Sequence, residues 1–146
     1  MREGVATIVL RSAPGGHEFL LLKRATRPFL GEWSLVQGGI DPGESPDDAV
    51  IRELREETQL APLAVYHEST LVVPSEPTQV RLHIYVSFVS GDRSVVLNEE
   101  HTAFRWCSLD KALQLMPLAA RQERKALARV PCRFLDSVPP PELRVR

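Results

Sequence analysis

The residues of this chain that could do chemistry are concentrated between Gly38 and Leu60, in the segment GGIDPGESPDDAVIRELREETQL. The segment holds seven acidic and two basic residues, whereas the whole chain of 146 residues has a formal net charge of −1. Clustered carboxylates either form the solvated face of a helix or bind a hard divalent cation such as Mg²⁺ or Mn²⁺. The spacing of the acidic residues helps to decide between these two interpretations.

Three of the glutamates would lie on one side of a helix. Each residue advances about 100° around an α-helix, so Glu53, Glu56 and Glu57 share an arc of about 100° beside the apolar face. Three like charges in that position repel one another, and a divalent cation would remove the repulsion. Arg52 lies four residues before Glu56 and could pair with that carboxylate and orient it.

Glycines precede this predicted helix at Gly38, Gly39 and Gly43. Glycine allows tight turns with positive φ, so these residues can bring a loop with exposed backbone carbonyls and N–H groups against the acidic helix. A loop and a helix arranged in this way are suited to binding a metal ion together with phosphate.

The segment from Gly38 to Leu60 resembles the Nudix box, the signature of the Nudix (MutT-like) hydrolases. That signature is G-x5-E-x7-R-E-U-x-E-E-x-G-U, where U is a bulky apolar residue, and eight of its nine defined positions match. The departure is Gln59, where the family has glycine. Glycine there would end the helix in the left-handed region, and another residue costs on the order of 1 kcal/mol. We expect Gln59 to alter the helix end without removing a ligand.

The resemblance implies an α/β fold, namely the Nudix-type α/β/α sandwich with a mixed β-sheet. It also implies hydrolysis of a diphosphate linkage in nucleoside diphosphates linked to another group, with Mg²⁺ or Mn²⁺ as cofactor. Carried over by position, the implied metal ligands are Glu53, Glu56, Glu57 and the backbone carbonyl of Gly38 or Gly39. Glu53 would also act as the base or hold the ion that carries the attacking water. Glu44 and Arg52 would support the site, with Arg52 orienting a glutamate.

Nudix relatives often use another glutamate, late in the chain, as a base or metal ligand. The segment LNEEHTAFRW offers Glu99 and Glu100. Its E-H-T-x-x-x-W string, from Glu100 to Trp106, resembles a segment of pyrophosphohydrolases of the dATP and dihydroneopterin triphosphate type. This resemblance favours Glu100 as a catalytic residue and metal ligand. The alternative is that both acids belong to an ordinary loop.

Five further residues are candidates for binding substrate. Lys23, Arg24 and Arg27 follow a predicted strand and could hold terminal phosphates through charge-assisted hydrogen bonds, or they could form a solvated strand end. Trp33 could stack on a base or pack beneath the loop. Gln37 could contact the substrate or a metal-bound water.

Hydrophobic patterns predict the elements that position these residues. The main helix has Ser45 as its N-cap and Pro46 as its first residue, and it ends at Thr58 or Gln59. The predicted strands cover 4–12, 19–25, 62–73, 80–90 and 103–108, with a short extended piece at 34–40, and further helices cover 109–116 and 118–130. The catalytic domain is predicted to span 1–135, and a Pro-rich tail, 136–146, to be loose or draped over the surface.

Several classes of protein are disfavoured by composition. A near-zero net charge argues against a general nucleic-acid binder, although an RNA 5′ end remains an alternative. The chain has no apolar run long enough to span a membrane, and its sequence shows neither a signal peptide nor a P-loop. We therefore expect a cytoplasmic protein with no membrane partner. An EF-hand beginning at Asp41 would need acidic ligands where Gly43 and Ser45 stand. Cys107 and Cys132 are predicted to be free, buried thiols.

The favoured function is hydrolysis of a nucleoside or pterin triphosphate to a monophosphate and pyrophosphate. One alternative is a dinucleoside polyphosphate or RNA 5′-end pyrophosphohydrolase, although Val36 stands where a proline usually precedes Gln-Gly-Gly in those enzymes. Another is a non-catalytic nucleotide-binding module. The sequence is compatible with a monomer and with a homodimer.

Overall fold

The structure is a computed structural model that describes residues 1–75 and 77–146. These residues form one β-sheet with helices on both faces. The strands are β1 (Arg2–Ala13), β2 (Gly16–Arg24), β3 (Trp33–Ser34), β4 (Val36–Gly39), β5 (Pro62–Pro74), β6 (Gln79–Val89) and β7 (His101–Cys107). The α-helices are α1 (Pro46–Thr58), α2 (Leu109–Leu115) and α3 (Arg121–Val130), followed by a π-helical turn (Pro131–Leu135) and a 3₁₀ turn (Pro141–Leu143).

Strand β1 organises the sheet because it pairs along both of its edges. One edge pairs in parallel with β6, and the other pairs antiparallel with β2 near the end of β1 and with β4 near its start. Strand β5 lies outside β6, while β3 and β7 both pair with β2. The sheet is therefore mixed, and the predicted hairpin of the first two strands is confirmed.

The alternation of side chains along β1 divides the core into two layers. Val5 and Val9 lie on the side of α1, whereas Ala6, Ile8 and Leu10 pack with residues of α2 and α3 on the opposite face. The arrangement is the predicted α/β/α sandwich. Helix α1 is thus held against one face of the sheet, with β4 directly beside it.

Several predicted boundaries differ from the structure. The last α-helix begins at Arg121 and not at 118, because Pro117 opens a turn in which the Ala120 N–H donates to the Pro117 carbonyl at 3.0 Å. The predicted extended piece is two short strands, β3 and β4. Both cysteines are free, but Cys132 is exposed, so the prediction that it is buried was wrong.

The C-terminal residues lie along the outer edge of β5. The Val145 N–H donates to the Val65 carbonyl at 2.8 Å, and the Val65 N–H donates to the Arg146 carbonyl at 3.2 Å. The Arg146 side chain also contacts Asp48 at the start of α1. Of the helices that the structure describes, none is long and apolar enough to cross a membrane.

Candidate active site

Helix α1 carries most of the acidic residues, and local contacts determine where it begins and ends. The Ser45 hydroxyl accepts a hydrogen bond from the Asp48 N–H at 3.1 Å, which is an N-cap interaction. At the other end Gln59 has a left-handed backbone with φ 61°, and its N–H donates to the Arg55 carbonyl at 2.8 Å. The helix therefore ends as a glycine-terminated helix would, despite the glutamine.

Three carboxylates converge where α1 meets the loop before β7. One oxygen each from Glu53, Glu57 and Glu100 lies within 4.8 Å of the others. Glu53 and Glu57 are buried, with 8% and 1% of their surface exposed, whereas Glu100 is exposed. The Ala25 N–H donates to the Glu100 carbonyl at 2.8 Å, so the end of β2 holds this loop in place. We call these three residues the acid cluster.

The surroundings of Glu57, the most buried member of the acid cluster, disfavour its charged form. Burial, together with the neighbouring Glu53 and Glu100, raises the pKa of Glu57 to about 10, against the backbone N–H of Gln37, which lowers it. Its Oε1 is buried and has no hydrogen-bond partner within residues 1–75 and 77–146. An ionised carboxylate in such a place needs a cation.

The acid cluster fits a divalent metal ion. Carboxylate oxygens are the ligands that Mg²⁺ and Mn²⁺ prefer, and the buried Glu57 Oε1 is an acceptor without a donor. Two oxygens on opposite sides of Mg²⁺ lie about 4.2 Å apart. The oxygens of the acid cluster lie within 4.8 Å of one another, which is close to that spacing.

Gly38 is required by the close approach of α1 to β4. A Cβ atom added at Gly38 would lie 2.2 Å from the Glu53 Cδ, so a larger residue would displace that carboxylate. The same packing brings the backbone of β4 beside the acid cluster. The Gly39 carbonyl accepts a hydrogen bond from Arg52, and the Gly38 carbonyl lies towards Gly4 of β1, so the predicted role of these carbonyls as metal ligands stays a prediction.

Arg52 joins the loop to the helix. Its guanidinium donates to the two Glu44 carboxylate oxygens at 2.8 and 3.0 Å, to the Gly39 carbonyl at 2.9 Å and to Glu53 Oε1 at 2.9 Å. It also donates to Glu56 Oε2 at 3.1 Å, the pair expected from the spacing. Glu56 is half-exposed and lies outside the acid cluster as the described residues define it.

A cavity of about 740 Å³ adjoins β4 on the face of the sheet that carries α2 and α3. The predicted substrate residues Arg24, Trp33 and Gln37 line it, together with Gly38 and Gly39. Arg24 also donates to the Pro28 carbonyl at 3.0 Å. As far as the described residues go, Lys23 and Arg27 lie outside its wall: the Lys23 ammonium is 5.9 Å from the centre of the Trp33 ring, and Arg27 is exposed.

Two parts of the site were missed by sequence reasoning. The far wall of the cavity comes from the α2–α3 connection and the start of α3, namely Met116, Pro117 and 119–123. His101 is buried, its Nε2 lies 3.9 Å from Glu57 Oε1, and burial lowers its pKa. The E-H-T string contains His101 next to Glu100 and is the sequence signal that marks it.

The chain belongs to the Nudix family, because the family model described as NUDIX domain matches residues 1–130. It is therefore a Nudix pyrophosphohydrolase that acts on nucleotides. This match covers the acid cluster, the residues that Arg52 contacts and every residue that lines the cavity.

Relatives within the family differ in substrate. The chain is 32% identical over 127 residues to the rat bis(5′-nucleosyl)-tetraphosphatase [asymmetrical], covering 84% of this chain and 83% of that protein. It is 32% identical over 112 residues to the nucleoside triphosphatase NudI of Escherichia fergusonii, covering 68% and 79%. Among solved structures, a Methanosarcina mazei MutT protein aligns with a TM-score of 0.73 and 27% identity, covering 88% and 93%. A C. elegans Ap4A hydrolase complex, at 23% identity, shows the shared fold with a TM-score of 0.78, covering 90% and 96%.

Proposed function

We propose that the protein hydrolyses a nucleoside or related triphosphate to a monophosphate and pyrophosphate, with Mg²⁺ or Mn²⁺ held by the acid cluster. The observation that carries this proposal is the position of the acid cluster and the cavity on either side of β4. The cluster supplies the metal ligands, and the cavity next to Gly38 and Gly39 supplies room for one nucleoside.

The metal ion, when bound, would neutralise the diphosphate and make a bound water a stronger nucleophile. The residues of the chain have separate tasks. Glu53, Glu57 and Glu100 would hold the ion, with the carbonyl of Gly38 beside them. Arg52 orients the Glu53 carboxylate through one hydrogen bond and ties β4 to α1 through another, to the Gly39 carbonyl. These bonds hold the carboxylates of α1 and the carbonyls of β4 at a fixed distance from each other.

Substrate binding is assigned to the cavity residues. Trp33 is half-buried and offers a flat ring to a base, while Arg24 offers a guanidinium to phosphate oxygens. Gln37, on β4, lines the same cavity, and its backbone N–H faces Glu57. Lys23 and Arg27 remain candidates for longer phosphate chains, because both lie near the end of β2 and outside the cavity wall that the structure describes.

A second candidate substrate is a dinucleoside polyphosphate. The similarity to the rat tetraphosphatase favours it, since that relative covers more of the chain than the NudI triphosphatase does. The cavity beside Gly38 and Gly39 favours the triphosphate instead, because it has room for one nucleoside and a dinucleoside polyphosphate has two. A second described cavity, of about 310 Å³, is lined by residues of α2, α3 and their connection, between Leu113 and Ala128, and so lies away from the acid cluster.

The experiment that tests the proposal is a hydrolysis screen with Mg²⁺ over nucleoside triphosphates, dihydroneopterin triphosphate, dinucleoside polyphosphates and RNA with a 5′-triphosphate. Products are identified by mass. Reaction in ¹⁸O-labelled water shows which phosphorus is attacked. We expect the highest kcat/KM with a triphosphate, and monophosphate and pyrophosphate as products.

The matched controls are E57Q and E99Q, which neutralise one glutamate inside the acid cluster and one beside it. E57Q should abolish most turnover and E99Q should not. Preferred cleavage of a dinucleoside polyphosphate would replace the triphosphate assignment. Equal turnover with and without a chelator would refute the metal assignment.

A further inference from the structure

His101 is a buried residue beside the acid cluster that has not yet been given a role. Only 7% of its surface is exposed, and its Nε2 points at Glu57 Oε1 across 3.9 Å. That separation exceeds a normal N–H···O hydrogen bond by less than about 1 Å. Both side chains are almost completely buried, with 3% and 2% exposed, so bulk water does not separate them.

A β-bulge turns His101 towards Glu57. The pairing of β2 with β7 runs in register to Lys23 and Ala103, and then shifts so that Arg24 pairs with His101 in place of Thr102. A shift of one residue exchanges the two faces of a strand, and bulges re-aim side chains in this way near active sites. Thr102 is consequently exposed and His101 is buried.

The hydrogen-bonding pattern around the ring indicates which nitrogen carries the proton. His101 Nδ1 is buried and has no partner in the part of the chain that the structure describes, and the same holds for Glu57 Oε1. A neutral imidazole has one donor and one acceptor nitrogen. A proton on Nε2 faces the carboxylate, whereas a proton on Nδ1 would leave a buried donor unused. The geometry therefore selects the Nε2–H tautomer.

We propose that His101 is a positioning residue whose Nε2–H donates to Glu57 Oε1 and directs the other carboxylate oxygen of Glu57 towards the metal ion. The inference rests on the proposed metal site and extends it to a residue outside the acid cluster. A shift of the Glu57 carboxylate by about 1 Å would bring the 3.9 Å separation to hydrogen-bond length. Hydrogen bonds of this type typically change metal affinity by about 10- to 100-fold.

The experiment measures Mn²⁺ affinity by electron paramagnetic resonance on the full chain without nucleotide, for the wild type and for H101F, H101Q and H101N. Phenylalanine keeps the ring and removes both nitrogens. Glutamine carries its amide N–H where Nε2 lies, and asparagine carries it where Nδ1 lies. We expect H101F and H101N to bind Mn²⁺ about 10- to 100-fold more weakly, and H101Q to stay within about threefold of the wild type.

Thermal unfolding with a chelator present separates positioning from packing. H101F removes a buried nitrogen that has no partner among the described residues, so its metal-free Tm should equal or exceed that of the wild type. If H101F does not fold, the comparison of H101Q with H101N still tests the proposal.

Two results would overturn the inference: wild-type affinity in H101F, or equal losses in H101Q and H101N. A wild-type protein that binds no Mn²⁺ would instead refute the metal site itself. The two failures are therefore distinguishable.

Discussion

Glu57 and Glu68 are both buried glutamates, with 1% and 4% of their surface exposed, and they differ in what surrounds them. Glu68, on β5, accepts hydrogen bonds from Arg129 at 2.9 Å, from Arg133 at 2.9 Å and from the Ser69 hydroxyl at 2.6 Å. Glu57, on α1, lies beside two further glutamates, and its Oε1 lacks a donor among the described residues.

The pKa values of the two residues shift in opposite directions. Burial raises the pKa of both carboxyls, but at Glu68 the hydrogen bonds and charges of Arg129 and Arg133, with Ser69, outweigh it and lower the pKa. At Glu57 the neighbouring acids act in the same direction as burial, and the pKa rises to about 10. The chain itself thus supplies the counter-charges of Glu68, from α3 and the turn that follows it, and we propose that a metal ion supplies the counter-charge of Glu57. A buried acid of the second kind indicates a functional site.

The largest expected effect follows from neutralising Glu57. E57Q should lower kcat/KM by at least about a hundredfold, which is the size of effect seen when one preorganised electrostatic group is lost. Its metal-free stability should not fall, because the substitution removes a buried ionisable group whose charged form burial and the neighbouring acids disfavour. Initial rates over a range of Mg²⁺ concentrations and urea unfolding measure the two quantities.

The control for this prediction is E99Q, which changes the neighbouring exposed acid. A hundredfold loss in E99Q, or a near-normal rate in E57Q, would show that the acid cluster is assigned to the wrong residues.

The corresponding change at the other buried glutamate should affect stability and not chemistry. E68A removes the partner of two arginines that hold α3 and the following turn to β5, and it should lower the free energy of unfolding by about 3 kcal/mol. Urea unfolding measures the loss, with E142A as a control at an exposed glutamate. Folded E68A should keep the kcat of the wild type, and a specific loss of kcat would place Glu68 in the active site.

The pH dependence of stability should have opposite signs at the two residues. The lowered pKa of Glu68 gives stability that is present above the ordinary value of 4.5 and is lost as the pH falls through the folded value. The raised pKa of Glu57, about 10, makes metal-free protein lose stability as the pH rises from 4.5 towards 10.

Urea midpoints in the presence of a chelator, measured over this range, test both signs. E68Q should flatten the acidic limb of the curve and E57Q the alkaline limb. If E57Q leaves the curve unchanged, the pKa of Glu57 is not raised in the folded protein.

The smallest expected effect is at the end of α1. Gln59 has φ 61°, a conformation that costs a residue with a side chain about 1 kcal/mol relative to glycine. Q59G should therefore raise the free energy of unfolding by about 1 kcal/mol, measured by urea unfolding, with kcat unchanged. A Q59G protein that is less stable, or that has altered turnover, would show that the glutamine side chain has a role of its own.

Much of the fold could be predicted from the sequence because its signals are local. The N-cap at Ser45, the proline after it and the alternating β6 residues determine their elements through contacts between near neighbours. The end of α1 is also determined locally, because Gln59 adopts the left-handed backbone conformation that the family glycine would favour.

The buried positions of His101 and Glu68 could not be predicted, because each depends on a β-bulge. One, between Lys23 and Arg24, turns His101 inwards, and the other, between His67 and Ser69, lies where Glu68 enters the core beneath α3. Neither bulge has a glycine or proline to mark it in the sequence. The cavity wall contributed by α3 was missed for a similar reason, because it depends on how that helix packs and not on its own pattern.

The most direct test of the central claim, that the acid cluster is completed by a divalent cation, is a calorimetric titration of the chelator-treated protein with Mn²⁺. We predict saturable binding by the wild type and by E99Q, and a loss of that binding in E57Q. Binding of equal strength in all three proteins, or no binding by the wild type, would contradict the account.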